Sequence, residues 1–184
     1  TQLIVEYSGL FSNWLPYAEL QSFTYHFGFH SLAAVFHWVT RLSVAQSVLW
    51  TGQIVNILAV VTLYPLALRL NKNPWSGVFA VLLAGFVFSM PMFYLNWGRY
   101  TQLTGLALLA VWAYLVWDFL DNRKIAWKPI LLSSILLGGL ALTHYRVLIF
   151  ALVFFFTYLV FFFQRKAFAI NLKQIIIICG IAFG

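Results

Sequence analysis

From Val44 onward the chain alternates long apolar runs with short polar gaps. A bilayer core of ~30 Å takes about 20 apolar residues as α-helix. Five runs reach that length with their flanks, at 44–68, 75–95, 103–120, 129–144 and 147–163, and a sixth opens near Gln174. The pattern predicts an all-α, polytopic transmembrane bundle over 43–184. Pro74 and Pro129 fall at helix starts, where a missing N–H costs nothing. The run ending at His144 is short, but Lys128 can snorkel and the Thr143–Tyr145 tip can sit among headgroups.

The stretch 23–42 has a different pattern. Its apolar part, 27–39, is too short to span and carries His30 and His37. That length predicts a helix lying in the interface rather than through the bilayer. Residues 1–22 then form an exterior loop, with Glu6 and Glu19 and no Lys or Arg.

Charge orients the bundle. Eight of the eleven basic residues fall in the gaps 69–72, 123–128 and 165–173. The gaps 96–102 and 143–146 hold one Arg each. Positive residues mark the cytoplasmic side, so the first three gaps face inward and the other two outward. With 63% apolar and 8% charged residues, a soluble fold is excluded. The net charge of +7 belongs to topology and anionic lipid, not to a nucleic-acid partner. The single Cys179 makes no disulfide framework. Residues 1–21 have neither a basic n-region nor an apolar core, and the chain stops inside an apolar run. We therefore expect a portion of a larger multi-pass protein of a prokaryotic plasma membrane.

The outward gaps carry the candidate chemistry. Arg99 lies in Asn96-Trp97-Gly98-Arg99-Tyr100-Thr101-Gln102, where topology needs no cation. A guanidinium beside amide donors suits a phosphate; an anchor within an aromatic belt is the other reading. Arg146 has the same two readings, at the tip of a tight hairpin with Thr143, His144 and Tyr145. His26, His30 and His37 are spaced by four and seven, on one face if a single helix carries them. They suit headgroup-level packing, phosphate contact, or a divalent metal at the i,i+4 pair. No neighbouring carboxylate completes a metal set, and no cofactor motif is present. Gln46, Gln53 and Asn56 make a stripe expected to face the bundle interior. Gly138, Gly139 and the Gly180/Gly184 pair allow close helix packing. Asp118 and Asp121 are expected to pair locally with Arg123 and Lys124.

The stretch Tyr25-His26-Phe27-Gly28-Phe29-His30-Ser31-Leu32-Ala33-Ala34, followed by Ser89-x-Pro91 and Asn96-Trp97-Gly98-Arg99-Tyr100, resembles multi-pass glycosyltransferases of the GT-C fold, including family 39-like bacterial and archaeal enzymes. The likeness covers about residues 20 to 165 and rests on order, spacing and topology. It implies a lipid-linked sugar donor, with a polyprenyl-phosphate carrier, and transfer to an acceptor at the exterior leaflet. It further implies that Arg99 and Tyr100, with Gln102, His26, His30, His144 and Arg146, hold the donor phosphate. The family's catalytic acidic motif would precede Thr1; within the chain Glu6 and Glu19 lie in the corresponding loop, neither in that motif, and Glu19 is the candidate general base. A transporter or flippase, and a non-catalytic assembly subunit, are the competing classes.

Overall fold

A computed structural model describes residues 1–20, 26–122, 126–161 and 165–184. Among them every regular element is helical. In order these are α1 (Gln2–Glu6), α2 (Gly28–Thr40), α3 (Val44–Val61), α4 (Leu63–Asn71), α5 (Pro74–Leu82), a π-helical turn (Leu83–Val87), α6 (Met92–Asn96), α7 (Tyr100–Asn122), α8 (Trp127–Thr143), α9 (Tyr145–Phe161) and α10 (Arg165–Phe183). Successive long helices run up and down, so the turns gather at two ends. One end holds Ser43, Asn96–Tyr100 and His144; the other holds Lys72 and Asp121.

Local chemistry explains the boundaries. Ser43 and Gln46 close a capping box that starts α3. Asn73 accepts the Trp75 N–H and Pro74 occupies the first turn of α5. The α3–α4 rod bends at Thr62, whose hydroxyl donates to the Leu58 carbonyl, while Pro65 offers Val61 no N–H. The α5 rod breaks at Phe88–Pro91 after its π turn, where extended Phe88 and then proline end the helical ladder.

Three helical stretches are long and apolar enough to cross a membrane: Val44–Asn71, Pro74–Asn96 and Tyr100–Asp121. The apolar helices Trp127–Thr143, Tyr145–Phe161 and Phe168–Phe183 are shorter. The last helix starts at Arg165, nine residues before the expected start at Gln174. The upper boundary expected for the fifth run, 162–163, lies outside the described residues.

The core lies among α7, α8, α9 and α10. Trp112 is fully buried and meets Phe154 and Phe155 edge to face, at 5.6 and 4.8 Å between centroids. α3 buries Ser47, Thr51, Gly52, Val55 and Ala59 and joins α7 through Gly52, beside Tyr100, and through Val55 and Ala59, packed with Leu103 and Ala107. The expected amide stripe is met only in part: Asn56 is half-buried with its Oδ1 inside the bundle, whereas Gln46 is spent on the cap and Gln53 is exposed. Among the expected small-residue contacts, a Cβ on Gly138 would meet the Ala182 carbonyl at 3.5 Å, an ordinary separation, while Gly180 faces open space.

α2 begins at Gly28, so the expected helix over 23–42 is shorter; residues 23–25 lie outside the described residues. Its start rests on the end of α8 and the start of α7. A Cβ on Gly28 would fall 2.7 Å from the Thr143 hydroxyl, and the Phe29 ring stacks on Tyr100 at 5.1 Å. Its opposite side meets Leu3, Ile4 and Phe11 through Ala34.

Candidate functional site

Two tight turns build the site. In the first, Gly98 adopts φ +66°, which turns the chain from α6 into α7. Arg99 follows, its N–H donating to the Tyr94 carbonyl and its carbonyl accepting from Leu103. The Arg99 guanidinium lies 4.1 Å over the Trp97 ring and donates weakly to Gln102 Oε1 at 3.5 Å. In the second, one extended residue, His144, separates α8 from α9. Its carbonyl accepts from the Val147 and Leu148 N–H groups, so the turn is held by backbone alone. Arg146 Nε donates to the Tyr145 hydroxyl at 3.2 Å.

The segment before α2 closes the site. Because Gly28 has no side chain, α2 approaches Thr143 closely, and the His26 ring comes within 5.4 Å of the His144 ring and 5.1 Å of the Tyr145 ring. Together His26, Gly98, Arg99, Thr101, Gln102, His144, Tyr145 and Arg146 line a pocket of about 370 Å³.

The electrostatics favour an anion. Arg69 makes the ion pairs found among the described residues, and no carboxylate lines the pocket. Burial first, then the charges of His26, Arg146 and Arg99, hold His144 below the ordinary imidazole range. Burial lowers His26 as well. At neutral pH the pocket therefore holds two guanidinium charges and two neutral imidazoles. His144 Nδ1 is buried with no hydrogen-bond partner among the described residues.

Five of the anticipated residues thus meet: His26, Arg99, Gln102, His144 and Arg146. Tyr100 is turned away. Its ring fills the junction of α2, α3 and α7, against Phe29 and over Gly52. His30 bonds the Thr1 hydroxyl at 3.0 Å and lines a separate cavity with Phe11, Trp14 and Tyr17. Burial, followed by the charge of the Thr1 amino group, pushes the His30 imidazole down to about 4. His37 Nδ1 bonds the Leu42 carbonyl at the far end of α2. The three histidines therefore share no site: the helix starts after His26, and His30 and His37 stand two turns apart on it with separate partners. Glu19 is exposed and lines none of these cavities. Among the described residues no three His, Cys, Asp or Glu side chains converge as a metal set would need. Thr101 and Tyr145 join the pocket without having been singled out; their place beside Arg99 and Arg146 in the same turns was the available signal.

No protein-family model, curated protein or solved structure matches the chain.

Proposed function

We propose that this chain belongs to a multi-pass membrane protein whose polar pocket binds the phosphate of a lipid-linked sugar donor, in the service of glycosyl transfer at the exterior leaflet. The observation that carries this reading is the meeting of Arg99 and Arg146 in one pocket, with His26 and His144 and without a carboxylate partner among the described residues. Paired guanidiniums suit a phosphate bidentately and would stabilise the charge that grows on it as the glycosidic bond breaks.

Two further observations support the membrane setting. Along Pro74–Asn96 only Gly77, Ala84 and Pro91 are buried, and Phe86, Val87 and Phe88 are among the most exposed side chains. A contiguous apolar surface of this kind needs lipid or protein to cover it. The pocket also lies at the end of the helices away from the basic gap around Arg69 and Lys72, as a site in the outer leaflet requires. The acceptor's general base has no candidate on the pocket itself.

The test is transfer from a polyprenyl-phosphate sugar donor by the full-length protein in membranes. Arg99→Ala and Arg146→Ala should each insert normally and lose most of the transfer. Full activity in both variants would make the arginines interfacial anchors and remove the phosphate reading.

A further inference from the structure

A separate cavity of about 360 Å³ lies between α1, the segment that follows it and the start of α2. Its walls are aromatic: Phe11, Trp14, Tyr17, Phe27 and the imidazole of His30 line it. Phe11 is buried and meets Trp14 edge to face at 5.1 Å, whereas Tyr17 is 62% exposed and stands at the mouth. Polar groups of the wall are already engaged. His30 Nδ1 shares a hydrogen bond with the Thr1 hydroxyl, while Gln2 Nε2 and the Tyr17 hydroxyl donate to Glu6 Oε1 at 2.8 and 3.3 Å. Hydrogen-bond acceptors are therefore scarce inside, and a carboxylate sits one bond behind the wall. Charge sets this cavity apart from the arginine pocket. Residues 1–40 include no Lys or Arg, and Glu6 makes no ion pair among the described residues. His30, held low by burial, adds no charge at neutral pH. The Thr1 amino group stands beside the cavity; burial weakens its hold on a proton, and acylation would remove its charge altogether.

We propose that this cavity binds a small soluble quaternary ammonium ion, held by the aromatic faces and by the field of Glu6. Ring faces carry the negative part of the aromatic quadrupole and attract a cation within about 6 Å of a centroid. The Glu6 carboxylate favours the same sign of charge, and no cation pairs with it among the described residues. A primary ammonium would bring three N–H donors into a wall with few free acceptors; a quaternary ion spreads its charge over methyl groups and has no donor to satisfy. A sugar ring could stack on Trp14, but its hydroxyls would meet the same shortage of partners. A zwitterionic lipid headgroup would bring a phosphate, and among the described residues no Lys or Arg lines the cavity to receive it. The volume, at the small end of ligand pockets, suits a guest of the size of choline. Neither Arg99 nor Arg146 lines this cavity, so the cation site is independent of the phosphate reading.

The experiment titrates this chain, acetylated at Thr1 and held in a maltoside detergent, with choline and with its uncharged isostere 3,3-dimethylbutan-1-ol, by calorimetry. Choline should bind about tenfold more tightly, since several ring faces attract the charge and none the neutral shape. Trp14→Leu and Tyr17→Leu should each shrink that preference roughly two- to fivefold, as a partly exposed cation–π contact contributes. Glu6→Gln should weaken choline about threefold and leave the isostere unchanged. Tyr17 is largely exposed, so Tyr17→Leu reads the same preference even if Trp14→Leu fails to fold. Equal affinity for choline and the isostere would reduce the cavity to a plain apolar recess and overturn the cation site. Ethanolamine binding as tightly as choline would overturn the quaternary selection. Glycerophosphocholine binding more tightly than choline would make the occupant a lipid headgroup and overturn the soluble ion.

Discussion

The imidazoles of His26 and His144 stand 5.4 Å apart, one from the segment entering α2 and the other from the turn between α8 and α9. Both lie below the ordinary imidazole range, and His30 falls to about 4. With folded pKa values depressed, the unfolded chain binds more protons than the native one between about pH 6.5 and the folded values. Stability is therefore full above about pH 6.5 and is lost as pH falls through that window. Thermal melting in detergent should give a lower midpoint at pH 5 than at pH 7.5, and His144→Gln should flatten the difference. A midpoint that rises on acidification would contradict this account.

A bound anion changes the sign at the site. It would offset the charges of Arg99 and Arg146 that hold His144 neutral, so the bound state takes up a proton more readily than the free one. Affinity for an alkyl sulfate, whose charge stays fixed across this range, should increase as pH drops from 7.5 to 5.5. Titration calorimetry reads both the affinity and the proton uptake. Arg99→Ala should cost about 1.5–3 kcal/mol of that binding, roughly ten- to more than a hundred-fold, and Arg99→Lys should restore only part of it because a lysine cannot grip two oxygens.

Tyr100 separates packing from recognition. Its ring lies on Phe29 and where a Cβ on Gly52 would stand, 2.6 Å away. Tyr100→Phe should keep both stability and anion binding, whereas Tyr100→Ala should destabilise the protein, by less than the about 3–5 kcal/mol that loss of a fully buried ring costs, because the Tyr100 ring is half-buried. Anion binding that falls in Tyr100→Phe without any change in melting would assign the hydroxyl to the ligand instead.

At the opposite end Arg69 of α4 pairs with Asp118 at 3.5 Å and with Asp121, and the Tyr158 hydroxyl donates to Asp121 at 2.9 Å. This bond network ties α4, α7 and α9 together. The local pairing expected for the two aspartates falls on Arg123 and Lys124, which lie outside the described residues. Removing the donor in Tyr158→Phe should cost about 1 kcal/mol, since Asp121 is partly solvated and keeps Arg69. The melting midpoint should drop by about 2–4 °C.

Orientation is tested by labelling. In a Cys179→Ser background, a cysteine at Lys72 should resist an impermeant thiol reagent in intact cells, while one at Gly98 should react. The reverse pattern would invert the bundle and remove the exterior glycosyl-transfer reading.

Helix positions were legible in the sequence because each is a local matter. Apolar runs and the helix-start prolines place the starts of α3, α5, α7, α8 and α9 to within a few residues, while the breaks at Thr62 and Phe88–Pro91 divide the runs expected to end at 68 and 95. The two arginines stood out for the same reason, as isolated cations in otherwise uncharged gaps. What the sequence could not determine is which parts of distant turns meet. Gly28 lets α2 approach Thr143, and that contact brings His26 to the pocket while leaving His30 and His37 elsewhere. Small residues, not amides, decide which face of α3 packs on α7. Arg69 finds its aspartates across the bundle rather than along the chain. Periodicity tells which residues share a face of one helix; the rotation of that helix against its neighbours follows from close packing of side chains far apart in sequence, and only the tertiary structure decides it.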